Sequence, residues 1–219
     1  MILVIPLDAE SPKGRLLMLQ QSVIRELLDV DARAFVIGPE QVADSIALLR
    51  TPPRLVVTDS QVLATVLRET PPQVPVTSFS VLMARVKGDF ETLIEGARAL
   101  ETLTADSKVL IAESCTHHPF GDDIGRVKIP RLLRGRAGAA LRVDVVNGKD
   151  FPENLSGYDV VIHCGGCTLN RRAMLSRMLR CREVGVPITN YGMTIAALHG
   201  YLPRVLAPFE ELRDARLAA

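Results

Sequence analysis

Short, unbroken apolar runs recur along this chain, each followed by a turn and then by residues at helical spacing. The runs Ile2 to Ile5, Ala34 to Ile37, Arg54 to Thr58 and Val74 to Thr77 are rich in β-branched residues and do not alternate with polar ones. A strand that is apolar on both faces must be covered on both faces, which points to a parallel sheet layered between helices. The intervening stretches agree. From Ser11 to Asp31 the pattern predicts a helix with Ser11 as N-cap and Pro12 at its first position, with Leu16, Leu19, Val23 and Leu27 along one face. "GPEQVADSIALLR" and "DSQVLATVLRET" follow the same scheme.

A polar break, "TLTADSK", lies between Thr102 and Lys108, and a second series then begins. "KVLIAE", "LRVDVV", "YDVVIH" and "VPITN" read as strands. "DDIGRVKIPRLLRG", "NRRAMLSRMLRCREVG" and "YGMTIAALHG" read as helices, and "FEELRDARLAA" as a helical or frayed end. The predicted fold class is α/β with two small domains, residues 1–103 and 104–219, each a mainly parallel sheet flanked by helices. One continuous doubly wound domain is the alternative.

Composition narrows the function. Twenty-six basic residues against 25 acidic ones give a net charge of +1, which argues against a general nucleic-acid or membrane-surface binder. Aromatics make up 4% with no Trp, too few for a base-stacking platform. The apolar start lacks a basic n-region and a cleavage site, and no apolar run is long enough for a membrane span. A cytoplasmic protein is expected. In that compartment, four cysteines are metal ligands or catalytic groups more often than disulfides.

Three strands of the second series run into unusual residues. "KVLIAE" leads to Ser114-Cys115-Thr116-His117-His118, "YDVVIH" to Cys164-Gly165-Gly166-Cys167, and "VPIT" to Asn190-Tyr191-Gly192. In a parallel sheet the carboxyl ends of all strands share one edge, and ligands bind outside that edge. Strand direction therefore brings Cys115, His117, His163, Cys164 and Cys167 within reach of one another, in the pattern C-x-H-x45-H-C-x-x-C. Gly165 and Gly166 permit a tight turn whose N–H groups can face an anion. Zinc wants four such ligands. A thioredoxin-like redox pair would sit at a helix N-terminus, which Thr168 or Asn170 could cap, but would leave Cys115 and the histidines idle. An iron–sulfur cluster can take three thiolates and an exchangeable fourth ligand. All three readings stay open on spacing alone.

The combination of "ESCTHHP", "DDIGRVKIPRLLR", "HCGGC" and "TNYGMTIAALHGYLPR" resembles the [FeFe]-hydrogenase maturation GTPase family, HydF. "VIPLDAESPKGRL", "RLVVTDSQV" and "VPVTSFSVLMARVKGD" look like that family's middle domain. The resemblance implies a dimerization domain followed by a domain that binds a [4Fe–4S] cluster. It also implies a scaffold or carrier that receives the diiron precursor of the hydrogenase active site from radical-SAM maturases and passes it to apo-[FeFe]-hydrogenase. By position, Cys115, Cys164 and Cys167 would hold iron. His163 or His117 is the candidate fourth ligand, with water, Asp122, Asp123 or a group from another chain as alternatives. The family's nucleotide motif, G-x-x-x-x-G-K-S/T, does not occur in these residues, so GTP hydrolysis is not expected of them. Met1 directly before a strand favours truncation over a relative without that domain. A homodimer or larger assembly through residues 1–100 is expected. Other classes compatible with the residues are an enzyme that binds substrate at an open [4Fe–4S] site, as dehydratases do, and a zinc-stabilised binding protein.

Plainer roles are expected elsewhere. Cys181 in mid-helix reads as a small buried hydrophobe. His199 before Gly200 reads as a helix-end residue, and His118 as a neighbour of His117 whose ring points elsewhere. Asn190 reads as a helix cap, with Tyr191 able to line a pocket. Arg126, Lys128, Arg131, Arg134 and Arg136 read first as a solvated helix face. With Arg171 and Arg172 they could also form a basic rim attractive to an anionic precursor.

Overall fold

The computed structural model describes residues 1–8, 13–114, 123–148 and 150–217, with side chains as far as residue 210. The chain divides into two compact units, residues 1–82 with 201–219, and residues 83–200. Each holds one sheet of four parallel strands flanked by helices, the expected α/β class.

The first unit runs β1 (Ile2–Val4), α1 (Met18–Asp29), β2 (Phe35–Ile37), α2 (Val42–Ala47), β3 (Val56–Thr58), α3 (Leu63–Glu69), β4 (Val76–Ser78) and the start of α4 (Phe79–Lys87). Strand order is β2-β1-β3-β4. β1, β3 and β4 are wholly buried, which is why their sequences do not alternate, whereas the edge strand β2 is largely exposed. Helix α1 starts at Met18, not near Ser11. Gly14 takes φ +83°, and the Gln20 side chain accepts the Leu17 N–H at 2.9 Å, closing the helix start there. The expected cap, Ser11 and Pro12, lies outside the described residues.

The second unit continues through α5 (Phe90–Ala99), β5 (Lys108–Glu113), α6 (Ile129–Ala137), β6 (Arg142–Asn147), β7 (Val160–His163), α7 (Arg171–Glu183), β8 (Ile188–Asn190) and α8 (Tyr191–Leu198). A π-helical turn, Ile124–Lys128, leads directly into α6. Strand order is β6-β5-β7-β8. The core beneath the sheet is built from Leu100, Val109, Ile111, Ile129, Leu133 and Ile162, with further apolar neighbours. Each fully buried Leu or Ile contributes about 1.5–3 kcal/mol.

The last helix, α9 (Leu202–Leu217), belongs to the first unit. Val205 and Leu206 are buried, the Val205 carbonyl accepts from Thr77 Oγ1 at 2.9 Å, and Arg204 donates to the Val74 carbonyl at 2.6 Å. The units thus divide the chain elsewhere than at 103/104. Residues 83–103 join the second sheet because α5 covers β8: Thr189 Oγ1 donates to the Leu93 carbonyl at 2.9 Å. The tail from Tyr201 returns to the first unit.

Candidate functional site

All strands of the second sheet point the same way, so their carboxyl ends share one edge. The register puts His163 beside Ala112 on one neighbour and Asn190 on the other. β7 is an interior strand, and its last residue, His163, is completely buried. Cys164 follows it, also buried, with Cys167 partly exposed.

The ends of β5 and β7 are joined at Cys164. Its sulfur accepts the Ser114 N–H at 3.1 Å, while Thr168 Oγ1 donates to the Ser114 carbonyl at 3.1 Å. Ser114 is the residue before Cys115 in the chain. Strand direction predicted that these two ends meet, and they do. Cys115, His117, His118 and Asp122 lie outside the described residues.

The imidazole of His163 has a determined role. Nδ1 stands 2.7 Å from the Cys164 carbonyl, which can only accept, so Nδ1 carries the hydrogen. Nε2 stands 2.8 Å from Arg177 Nη1, which can only donate, and 3.3 Å from Ser114 Oγ. Nε2 is therefore the acceptor of a neutral ring, and both nitrogens are engaged within the chain. Arg177 also donates to Ser114 Oγ and to the Gly148 carbonyl, both at 2.7 Å, and stacks on Phe151 with 4.9 Å to the ring centroid. Burial pulls the Arg177 guanidinium below its ordinary pKa, with Arg180 adding to that and Cys164 opposing it.

The C-x-x-C turn is in the loop before α7, which starts at Arg171 and is capped by the Asn170 side chain accepting the Ala173 N–H at 2.9 Å. The cysteines do not form the helix terminus. Gly166 takes φ +61°, and a Cβ there would meet the Met174 methyl at 2.6 Å. At Gly165 a Cβ would meet only the Cys167 sulfur, at 3.8 Å, so that side of the turn is open. Lys87, at the end of α4, donates to the carbonyls of Gly166, Cys167 and Leu169 at 2.8, 2.9 and 2.9 Å. Two soft sulfur donors on a glycine turn, open on one side, suit zinc or an iron–sulfur cluster.

The remaining candidates fall into place around this turn. Asn190 caps α8, accepting the Met193 N–H at 2.8 Å. His199 stands at the other end of that helix. Cys181 is fully buried in α7, and burial pushes its thiol up to about 12, so it stays protonated and inert. Arg126 is tied to Glu113 at 2.9 Å at the end of β5, while Arg131, Arg134, Arg136, Arg171 and Arg172 are exposed. Lys87 and Arg177 escaped the sequence reading.

Two family models match the chain. Residues 1–88 match the hydrogen maturase F dimerization domain, and residues 91–208 match the hydrogen maturase F tetramerization domain. The chain belongs to the hydrogen maturase F family. Comparison with curated proteins returned no match. Both matched domains of hydrogen maturase F are named for self-association, which agrees with the expected homo-oligomer. Among the described residues no helix is long and apolar enough to cross a membrane.

Proposed function

We propose that the second unit binds a [4Fe–4S] cluster through Cys115, Cys164 and Cys167, and that the chain is a scaffold or carrier in [FeFe]-hydrogenase maturation. The observation that carries this reading is the Ser114 N–H to Cys164 Sγ contact at 3.1 Å. It ties the segment entering Cys115 to the C-x-x-C turn. When bound, such a cluster supplies an iron site with an exchangeable ligand, at which a diiron precursor can be held. The chain's own part is to hold Cys164 and Cys167 at the carboxyl edge of the second sheet through Ser114, Thr168, Lys87 and Arg177, with Cys115 as the third thiolate. The partners in this reading are radical-SAM maturases as donors and apo-[FeFe]-hydrogenase as recipient. The chain self-associates through residues 1–100, where β2 offers an open sheet edge.

Anaerobic reconstitution with iron and sulfide tests this. The expected product is brown, carries iron and sulfide in cluster proportion, and gives an electron-paramagnetic-resonance signal when reduced. Cys164→Ala and the less buried Cys167→Ala each lose the cluster, and the loaded parent activates apo-hydrogenase. A colourless protein that binds only zinc overturns the reading, as does a Cys167→Ala variant that keeps a full cluster.

A further inference from the structure

We infer that Lys87 is a positioning residue for the C-x-x-C turn: its ammonium gathers three carbonyls on one side and thereby aims the N–H groups of Cys167 and Thr168 at an anion bound on the other. The inference rests on the cluster reading above.

An ammonium has three donors, and Lys87 directs them at three carbonyls of a single turn, those of Gly166, Cys167 and Leu169. Three contacts from one side chain to one short loop are not a solvated surface arrangement. The lysine is also held from behind. Gly88 closes α4 by donating its N–H to the Ala84 carbonyl at 2.9 Å, and a Cβ on Gly88 would meet Leu93 Cδ1 at 2.7 Å. Asp89 donates its N–H to Met178 Sδ at 3.5 Å and caps α5 by accepting the Thr92 N–H at 3.0 Å. The residues after Lys87 are thus packed against α5 and α7, and the side chain starts from a fixed point.

The consequence follows from peptide geometry. In a trans peptide the C=O and the next N–H point in opposite directions. No cis peptide is present among the described residues. Drawing the Gly166 and Cys167 carbonyls toward Lys87 therefore turns the N–H groups of Cys167 and Thr168 away from it. Successive N–H groups facing one side of a glycine turn form a concavity for anions, including sulfides and thiolates. Lys87 adds a positive charge behind them. Hydrogen bonds and charge at the sulfurs tune both the retention and the potential of an iron–sulfur cluster.

The test compares the parent with Lys87→Met, which keeps the methylene stem and loses the donors, and Lys87→Arg, which keeps the charge. Circular dichroism checks folding in each. Two readouts are taken: the rate of Cys167 alkylation in the metal-free protein, and the midpoint potential of the reconstituted cluster. Lys87→Met is expected to lower the alkylation rate near neutral pH about tenfold, because the thiolate is the nucleophile and loses the charge and N–H groups that favour it. It is also expected to move the potential in the negative direction, with Lys87→Arg recovering part of both. An alkylation rate and a potential equal to those of the parent overturn the inference. So does faster alkylation with an unchanged potential, because a lysine that only braces the fold gives that result. If the parent takes up no iron while Lys87→Met is still alkylated more slowly, the aim of the N–H groups at the thiolate stands and the cluster reading falls instead.

Discussion

Arg177 sets Nη1 2.8 Å from Nε2 of His163 and 2.7 Å from Oγ of Ser114, so one guanidinium spans the ends of β5 and β7. The same side chain reaches the Gly148 carbonyl beyond β6. Arg177→Met keeps apolar packing over Phe151 but takes one donor from the buried His163 Nε2, which keeps the longer 3.3 Å contact to Ser114 Oγ, and one from the Gly148 carbonyl. The expected cost is about 1–3 kcal/mol of unfolding free energy, measured by urea denaturation with an unchanged slope. Arg177→Lys should recover little, since a compact ammonium does not reproduce the planar fork. A variant as stable as the parent would show that the guanidinium does not hold these ends together.

How much of this site was legible beforehand depends on what kind of information each residue carries. Strand direction sufficed to bring the ends of β5 and β7 to one edge, because parallel strands put their carboxyl ends together whatever the loops do. Arg177 left a weaker trace. Met174, Met178 and Cys181 mark the buried face of α7, and a residue next to Met178 sits on its flank, where a long side chain can turn inward. Lys87 left no local trace. Its partners are about 80 residues away, and nothing in a helix-terminal lysine distinguishes a clamp from a solvated charge.

Gly96 is where α5 meets the second sheet. A Cβ built there would collide with the backbone carbonyl group of Ile188 in β8. Backbone cannot give way as a side-chain tip does, so Gly96→Ala has to push the helix off the strand. Overpacking of this kind costs about 1–3 kcal/mol or more, outweighing the gain of up to about 1 kcal/mol from replacing glycine in a helix. The expected result is a lower melting temperature. An unchanged or higher one would mean that α5 does not lie this close to β8.

The same contact explains why residues 83–103 pack with the second sheet although the polar stretch Thr102 to Lys108 follows them. A polar break marks a loop, but it does not say which sheet the helix before it covers. The amphipathic face of α5 fits either side in sequence, and it is the close approach at Gly96, with the Thr189 to Leu93 hydrogen bond, that assigns it to β8. The return of α9 was hidden for a similar reason: Val205 and Leu206 show that the helix is buried, not against what.

Lys108, Asp144 and Tyr158 form a cluster between neighbouring strands and the loop before β7. Lys108 Nζ and Tyr158 Oη both lie 2.9 Å from Asp144 Oδ2. The Lys108 hydrogen bond, seconded by that of Tyr158, lowers the Asp144 pKa below its ordinary 3.8. A depressed carboxylate contributes stability that is present above the ordinary value and is lost as pH falls through the lower, folded-state value. Lys108 is shifted up by Asp144, so its part is present below 10.5 and lost as pH rises through its raised value. Asp144 is 46% exposed, so solvent screening keeps the contribution of the pair small. Asp144→Asn is expected to lower the melting temperature slightly at pH 7, with the difference from the parent closing under strongly acidic conditions. A difference that grows on acidification would contradict the sign of the shift.

The open edge of the first sheet supplies the sharpest test of self-association. The Phe35 N–H donates to the Met1 carbonyl, and the Ile37 carbonyl accepts from the Ile5 N–H, both at 2.9 Å. Alternate residues of a strand present their backbone groups to opposite sides, so Val36 presents its N–H and carbonyl to the outer edge. Around them Phe35 is 45%, Val36 53% and Val30 72% exposed, an apolar border on an edge that carries neither proline nor charge within β2. Such an edge invites a second strand. Val36→Pro removes only the outward N–H and leaves the bonds to β1 intact, as proline at a sheet edge does. The expected outcome is a folded protein whose assembly size falls in sedimentation experiments at concentrations where the parent is dimeric or larger, with Val36→Lys acting in the same direction through charge. If Val36→Pro keeps the parent's mass at every concentration, the self-association surface lies elsewhere than β2.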